Sequence, residues 1–209
     1  DDAIVALLEG GKIRRLPKRN FTAESIASEK PVFIMETQTD RRLRFFTSHG
    51  NCLIIGVDEL PEARLTAKAT NLNSLVQLEK GEEIVACFDE VKDDTLVFFT
   101  ALGNAKRTEG KEFDLRTKKT AAIALKDDDR VIAVEKQDET AGTVIMVSKG
   151  GMSIRFATDT VPVMGKGAGG VKCMKLDEGD RVIFAAQIAD EGEILTICLL
   201  YTSDAADEL

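Results

Sequence analysis

Apolar residues along this chain come in short runs rather than long helical stripes. Four such runs lead through a few small or polar residues to a glycine. They are Val5-Ala6-Leu7-Leu8-Glu9-Gly10, Phe45-Phe46-Thr47-Ser48-His49-Gly50, Phe98-Phe99-Thr100-Ala101-Leu102-Gly103 and Ile145-Met146-Val147-Ser148-Lys149-Gly150. Their glycines lie 40, 53 and 47 residues apart. Strand-like sequence follows each one, at 12–16, 52–55, 105–108 and 152–156. Glycine tolerates a positive φ, so each pair of stretches reads as a hairpin with glycine in its turn.

A second landmark keeps nearly the same beat. It is a leucine, an acidic turn and a β-branched strand, beginning at Leu78, Leu125 and Leu176, which are 47 and 51 residues apart. Residues 131–134 and 182–185 alternate and are bounded by turn formers, which is strand grammar. Only 63–78 could pass for one or two helical turns, and Thr66, Thr70, Asn71 and Asn73 form helices poorly. A repeat of 40–50 residues built from short strands predicts a propeller-like array. The expected fold is all-β, with four blades of about four strands at roughly 1–40, 41–94, 95–141 and 142–193, and a fifth apolar stretch beginning at 194–197. No Pro/Ser-rich linker divides the chain, so one domain is expected.

The end of the chain departs from the repeat. A glycine is due at position 200, but Leu200 stands there. The string CLLYTSDAADE over 198–208 resembles the translation of a transposon-end sequencing adapter, so the natural sequence is expected to be cut off near Ile197, with foreign residues after it and room for further blades in the natural disc. On that reading Tyr201, the only tyrosine, carries no chemistry. The start, Asp1-Asp2, has neither an initiator Met nor a basic-then-apolar leader, and reads as part of something longer.

Of the 209 residues, 31% are charged and 44% hydrophobic, the profile of a globular protein. No run approaches 18 consecutive apolar residues. The net charge is −8; setting aside Asp204, Asp207 and Glu208 leaves 33 acids against 28 bases, or −5. Acidity argues weakly against a phosphate ligand. A basic rim on an acidic body would satisfy both. Cys52, Cys87, Cys173 and Cys198 form no CxxC pair, so zinc is not expected and free thiols in a reducing cytoplasm are.

Basic residues recur at matched places. The first blade offers Arg14, Arg15, Lys18 and Arg19, and the second Arg64 and Lys68. The third offers Lys106, Arg107, Arg116, Lys118 and Lys119, and the fourth Arg155, Lys166 and Lys172. Acids gather instead in turns such as Asp127-Asp128-Asp129 and Asp177-Glu178. Taken singly, these cations are a solvated surface. As a set recurring by blade, they suit a curved line of phosphates with no required base sequence. A protein-interaction propeller with no DNA role is the competing reading, which the net acidity permits. Gly165-Lys166-Gly167-Ala168-Gly169-Gly170 formally satisfies GxGxxG, but strand-like sequence follows it where a dinucleotide site needs a helix. His49 is the only histidine and reads as an exposed turn residue, so no catalytic triad can be assembled. Asp127 and Asp129 lack the distal Glu of a calcium loop.

Several stretches between the landmarks are more specific. Glu59-Leu60-Pro61-Glu62-Ala63-Arg64 resembles the second blade of the C-terminal domain found in the A subunits of bacterial type IIA topoisomerases, DNA gyrase and topoisomerase IV. Glu112-Phe113-Asp114-Leu115-Arg116-Thr117 with Ala121-Ala122-Ile123-Ala124-Leu125 resembles the third blade. Val163-Met164-Gly165-Lys166, Gly170-Val171-Lys172 and Leu176-Asp177-Glu178-Gly179-Asp180-Arg181-Val182 resemble the fourth. The resemblance covers residues 1 to about 197 and implies a β-pinwheel, a propeller-like disc whose blades exchange strands and whose basic rim binds and bends duplex DNA. It implies no catalytic residue and no cofactor in this segment. Strand cleavage, ATP and Mg²⁺ belong elsewhere in a cytoplasmic heterotetramer of A and B subunits. One stretch departs from the gyrase pattern. Where gyrase carries a basic, Gly-rich box, residues 22–30 read Thr-Ala-Glu-Ser-Ile-Ala-Ser-Glu-Lys, without Arg or Gly and with two Glu. That favours a topoisomerase IV-type chain or a gyrase-like one that wraps poorly.

Overall fold

The structure, a computed structural model, describes residues 1–62, 68–126 and 128–189. Arg64, Asp127 and the whole of the tail from 190 lie outside the described residues. Fifteen strands are described: β1 (Asp2–Leu8), β2 (Lys12–Pro17), β3 (Pro31–Gln38), β4 (Arg42–Thr47), β5 (Asn51–Gly56), β6 (Thr70–Asn71), β7 (Ile84–Phe88), β8 (Thr95–Thr100), β9 (Asn104–Glu109), β10 (Lys119–Ala121), β11 (Val131–Lys136), β12 (Thr143–Ser148), β13 (Ser153–Ala157), β14 (Val171–Lys172) and β15 (Val182–Ile188). The helices are short: α1 (Ala23–Ala27), α2 (Asn73–Val76) and three single 3-10 turns.

The strands form four antiparallel sheets, in the orders β3-β1-β2-β6, β10-β5-β4-β7, β11-β8-β9-β14 and β13-β12-β15. Each of the first three blades thus builds three strands from its own repeat and borrows the fourth from the next. β6 follows the second hairpin but pairs with β2 of the first blade, with Lys12 opposite Asn71. β10 pairs likewise with β5, and β14 with β9. The fourth sheet has three strands among the described residues, and β13 is its edge.

The expected hairpins are present, with one shift of frame. Gly50 and Gly103 close their turns at φ +79° and +81°, each N–H donating to the carbonyl three residues back. In the first and fourth hairpins the equivalent residues are Gly11 and Gly151, one position past the expected glycines. Gly50 and Gly103 are needed for a second reason. A Cβ on either would stand 2.6 Å from the carbonyl oxygen of Ile123 or Met174, where the borrowed chain passes over the turn.

The two sequence landmarks meet in space. Glu82, two residues before β7, accepts from the Thr47 hydroxyl and the Asn51 amide of the second hairpin. Asp129 does the same for Leu102 N–H and Asn104, and Asp180 for Gly150 N–H. Each acidic turn therefore satisfies the polar groups of a glycine turn, which buried turns require.

Three cores lie between blades rather than inside them. The first joins Val5, Leu7 and Ile13 to Phe45, Leu53 and Leu60. The second joins Phe46 and Ile54 to Phe98, Phe113 and Ile123, with Phe46 edge-on to Phe113 at a centroid distance of 5.0 Å. The third joins Val97 and Phe99 to Val144, Met146 and Val161. Both faces of a blade are thus covered, so strands such as β8 and β12 read as continuous apolar runs instead of alternating. The free face of the first blade is covered differently. Ile4, Ala6 and Leu8 pack under Ile26 of α1, an element the residue pattern did not suggest.

Candidate nucleic-acid interface

β11 touches both β7 and β15, so in the second, third and fourth sheets this edge faces the axis of the array. The opposite edge is the perimeter, and the borrowed strands occupy it in the first three blades. Lys119 opens β10 with Lys118 just before it, Lys172 ends β14, and Lys68 stands two residues before β6. Strand exchange therefore carries cations to the outer edge of the preceding blade.

The structure divides the expected cationic set in two. Lys18, Arg19, Lys68, Arg116, Lys118, Lys119, Arg155 and Lys172 are exposed, and Lys166 is half-buried. Arg64 lies outside the described residues. Arg14, Arg15, Lys106 and Arg107 are turned inward. Arg14 is buried and pairs with Glu29 at 2.8 Å. Arg15 Nε donates to the carbonyl of Leu60 at 2.9 Å. Arg107 Nε donates to Val161 O at 2.6 Å, while its Nη atoms reach Gln137 and Asp159 O. Lys106 is fully buried under the glycine-rich loop. Its Nζ donates to the carbonyls of Gly165 and Lys166 and lies 5.3 Å from the Phe98 ring centre. Burial pushes its ammonium down to about 8, with Glu112 opposing. A buried amine needs acceptors, and two loop carbonyls supply them.

The exposed cations are partly answered by acids. Lys118 pairs with Glu59 and Lys119 with Glu79, at 2.9 and 2.8 Å, and both acids belong to the second repeat. Lys18 pairs with Glu36. The Gly56 N–H, then Lys118, hold the Glu59 carboxyl below its ordinary range. Lys119 and His49 do the same for Glu79. Lys172 Nζ donates to Leu102 O, and Arg155 donates to Thr143 and Ala189.

Other candidate chemistry resolves into structure. The loop 165–170 ends in β14, a two-residue strand, where a nucleotide cradle needs a helix. Gly170, at φ +83°, lies so close to β9 that a Cβ would meet Ala105 O at 2.6 Å. His49, Glu79 and Glu82 converge within 4.8 Å, but Glu82 is held by Thr47, Asn51 and the Glu79 N–H, and Glu79 by Lys119. Cys52 and Cys87 are buried in two different cores. Desolvation pushes the Cys52 thiol up to about 12 and that of Cys87 well above its ordinary value.

An array of antiparallel blades that borrow strands from their neighbours is a strand-exchanged β-propeller, the class this fold defines. A family model described as the DNA gyrase C-terminal domain, beta-propeller, matches residues 45–88, 94–138 and 142–189, and the chain belongs to that family. The A subunit of DNA topoisomerase 4 from Streptococcus pneumoniae serotype 4 is 34% identical over 197 residues, covering 86% of this chain and 24% of the relative. The A subunit of DNA gyrase from Escherichia coli K12 is 32% identical over 213 residues, covering 94% and 24%. The chain therefore spans about a quarter of the length of these curated relatives. The crystal structure of the C-terminal domain of DNA topoisomerase IV superposes with a TM-score of 0.80 at 26% identity, over 90% of this chain and 62% of that one. The Escherichia coli ParC C-terminal domain shares the fold at a TM-score of 0.75 and 16% identity, over 88% and 78%. Among the described residues no helix is long and apolar enough to cross a membrane.

Proposed function

We propose that this domain binds duplex DNA along its perimeter and bends it, as a non-catalytic part of the A subunit in a type IIA topoisomerase. The observation that carries this reading is the recurrence of exposed cations at the borrowed strands: Lys68, Lys118 and Lys119, and Lys172. Such a row meets phosphates and reads no bases, so binding is electrostatic and indifferent to sequence. Bending a short duplex costs several kcal/mol, so cations from several blades must engage together. Residues 22–30 supply a helix whose Ile26 is buried against the first blade, in place of a basic loop. That supports weak wrapping, as in a topoisomerase IV-type chain. In the whole protein, the A subunits would pair with B subunits in the cytoplasm, with ATP and Mg²⁺ bound outside this segment. Fluorescence anisotropy with two duplexes of unrelated sequence tests the reading: equal affinities at low salt are expected. No binding at low salt would overturn it and favour a propeller that docks protein partners.

A further inference from the structure

Counted from the turn-closing glycines Gly11, Gly50, Gly103 and Gly151, the residues at plus ten are Phe21, Leu60, Phe113 and Val161. The last three are fully buried, each in the core shared with the preceding blade. Each also offers its carbonyl oxygen to an arginine of that preceding blade. Arg15 Nε reaches Leu60 O at 2.9 Å, Arg44 Nε reaches Phe113 O at 3.0 Å and Arg107 Nε reaches Val161 O at 2.6 Å. Arg15 and Arg107 stand at plus four in β2 and β9. At plus four in the second blade is Ile54, and Arg44 comes instead from β4, where it lies directly opposite Ile54 in the register. The position changed strands, while the contact stayed.

We propose that Arg15, Arg44 and Arg107 are positioning residues that set the angle between successive blades and so the curvature of the cationic perimeter. The inference rests on the DNA-binding reading for its consequence, though not for its geometry. A hydrophobic core alone permits neighbouring blades to rock, because apolar contacts are non-directional. A guanidinium holding a backbone carbonyl is directional, and it ties the chain of one blade to the sheet of another. Further tethers reinforce the joints. The backbone of Arg15 bridges Glu62 and that of Arg107 bridges Val163, both in parallel. Arg44 adds a bond to Asp114 of the next blade, besides one to Asp89 O within its own. Arg155, at plus four in the fourth hairpin, donates within its own blade to Thr143 and Ala189.

The test uses the full chain with Arg107→Gln and Arg15→Gln, each read by small-angle scattering and by energy transfer across an end-labelled duplex. Both variants are expected to broaden the distance distribution and reduce the DNA bend. Their affinity should stay within about threefold and their salt dependence should not change, since the perimeter cations are intact. Arg107→Lys, which keeps the charge but lacks the Nε fork, should behave as Arg107→Gln and serves if the latter does not fold. Unaltered scattering and bend in folded Arg15 and Arg107 variants would overturn the inference. Should no protein bind duplex, the DNA reading fails, and scattering alone still decides whether the arginines fix the angle.

Discussion

The ammonium of Lys106 donates to the carbonyl of Gly165 at 2.9 Å, from a side chain with no exposure to solvent. Its pKa falls from 10.5 to about 8 because burial disfavours the charge. An unfolded chain keeps that proton until about pH 10.5, so between pH 8 and 10.5 the unfolded state binds more protons and stability rises with pH. A shift of this size corresponds to about 3 kcal/mol. Denaturant unfolding of wild type and Lys106→Met across this range should show the difference moving in favour of the wild type by that order. A gap that stays constant with pH would show that the charge is not buried.

Perimeter and inward cations should separate in binding assays. Arg116→Gln and Lys68→Gln remove exposed charges. Each should weaken binding to all sequences alike and reduce the salt slope by about 1. Arg14→Gln, which removes a buried partner of Glu29, should cost stability instead and leave that slope alone. Equal salt slopes for the two groups would show that exposure does not select the contacts.

On the proposed reading, acids on the perimeter would compete with phosphate for the same lysines. Glu59→Gln and Glu79→Gln release Lys118 and Lys119 from their pairs. The amide that replaces the Glu59 carboxylate keeps an acceptor for the Gly56 N–H. Each substitution should raise duplex affinity roughly twofold to fivefold, the scale of an exposed ion pair. Isothermal titration at fixed salt reads it directly, and unchanged affinity would remove these acids from the account.

Ile26 covers the free face of the first blade, packed on Ile4, Ala6 and Leu8. Ile26→Ala should cost about 2–5 kcal/mol in denaturant unfolding, as for other buried aliphatic deletions. A loss below about 1 kcal/mol would mean that α1 lies loosely on the blade.

The hairpins and the strands before the axis were legible because glycine turns and apolar runs such as Phe45-Phe46 and Phe98-Phe99 signal them locally. The borrowed strands were not. β6 and β14 hold two residues each, too few for any periodicity, and their partners are set by the third dimension. The buried cations misled for a related reason. Arg107 and Arg116 look alike in sequence, yet one clasps Val161 O and the other is exposed. One signal was available: the apolar residue ten past each turn glycine, whose carbonyl needs a donor once it is buried. α1 escaped because five residues with a single buried isoleucine carry no helical period.

The account stands most directly on how duplex affinity responds to salt. Binding of one duplex, measured from about 50 to 200 mM salt, should fall linearly on a double-logarithmic plot, with the same slope for a second, unrelated sequence. A flat plot, or slopes that depend on sequence, would contradict a perimeter that holds DNA through its phosphates.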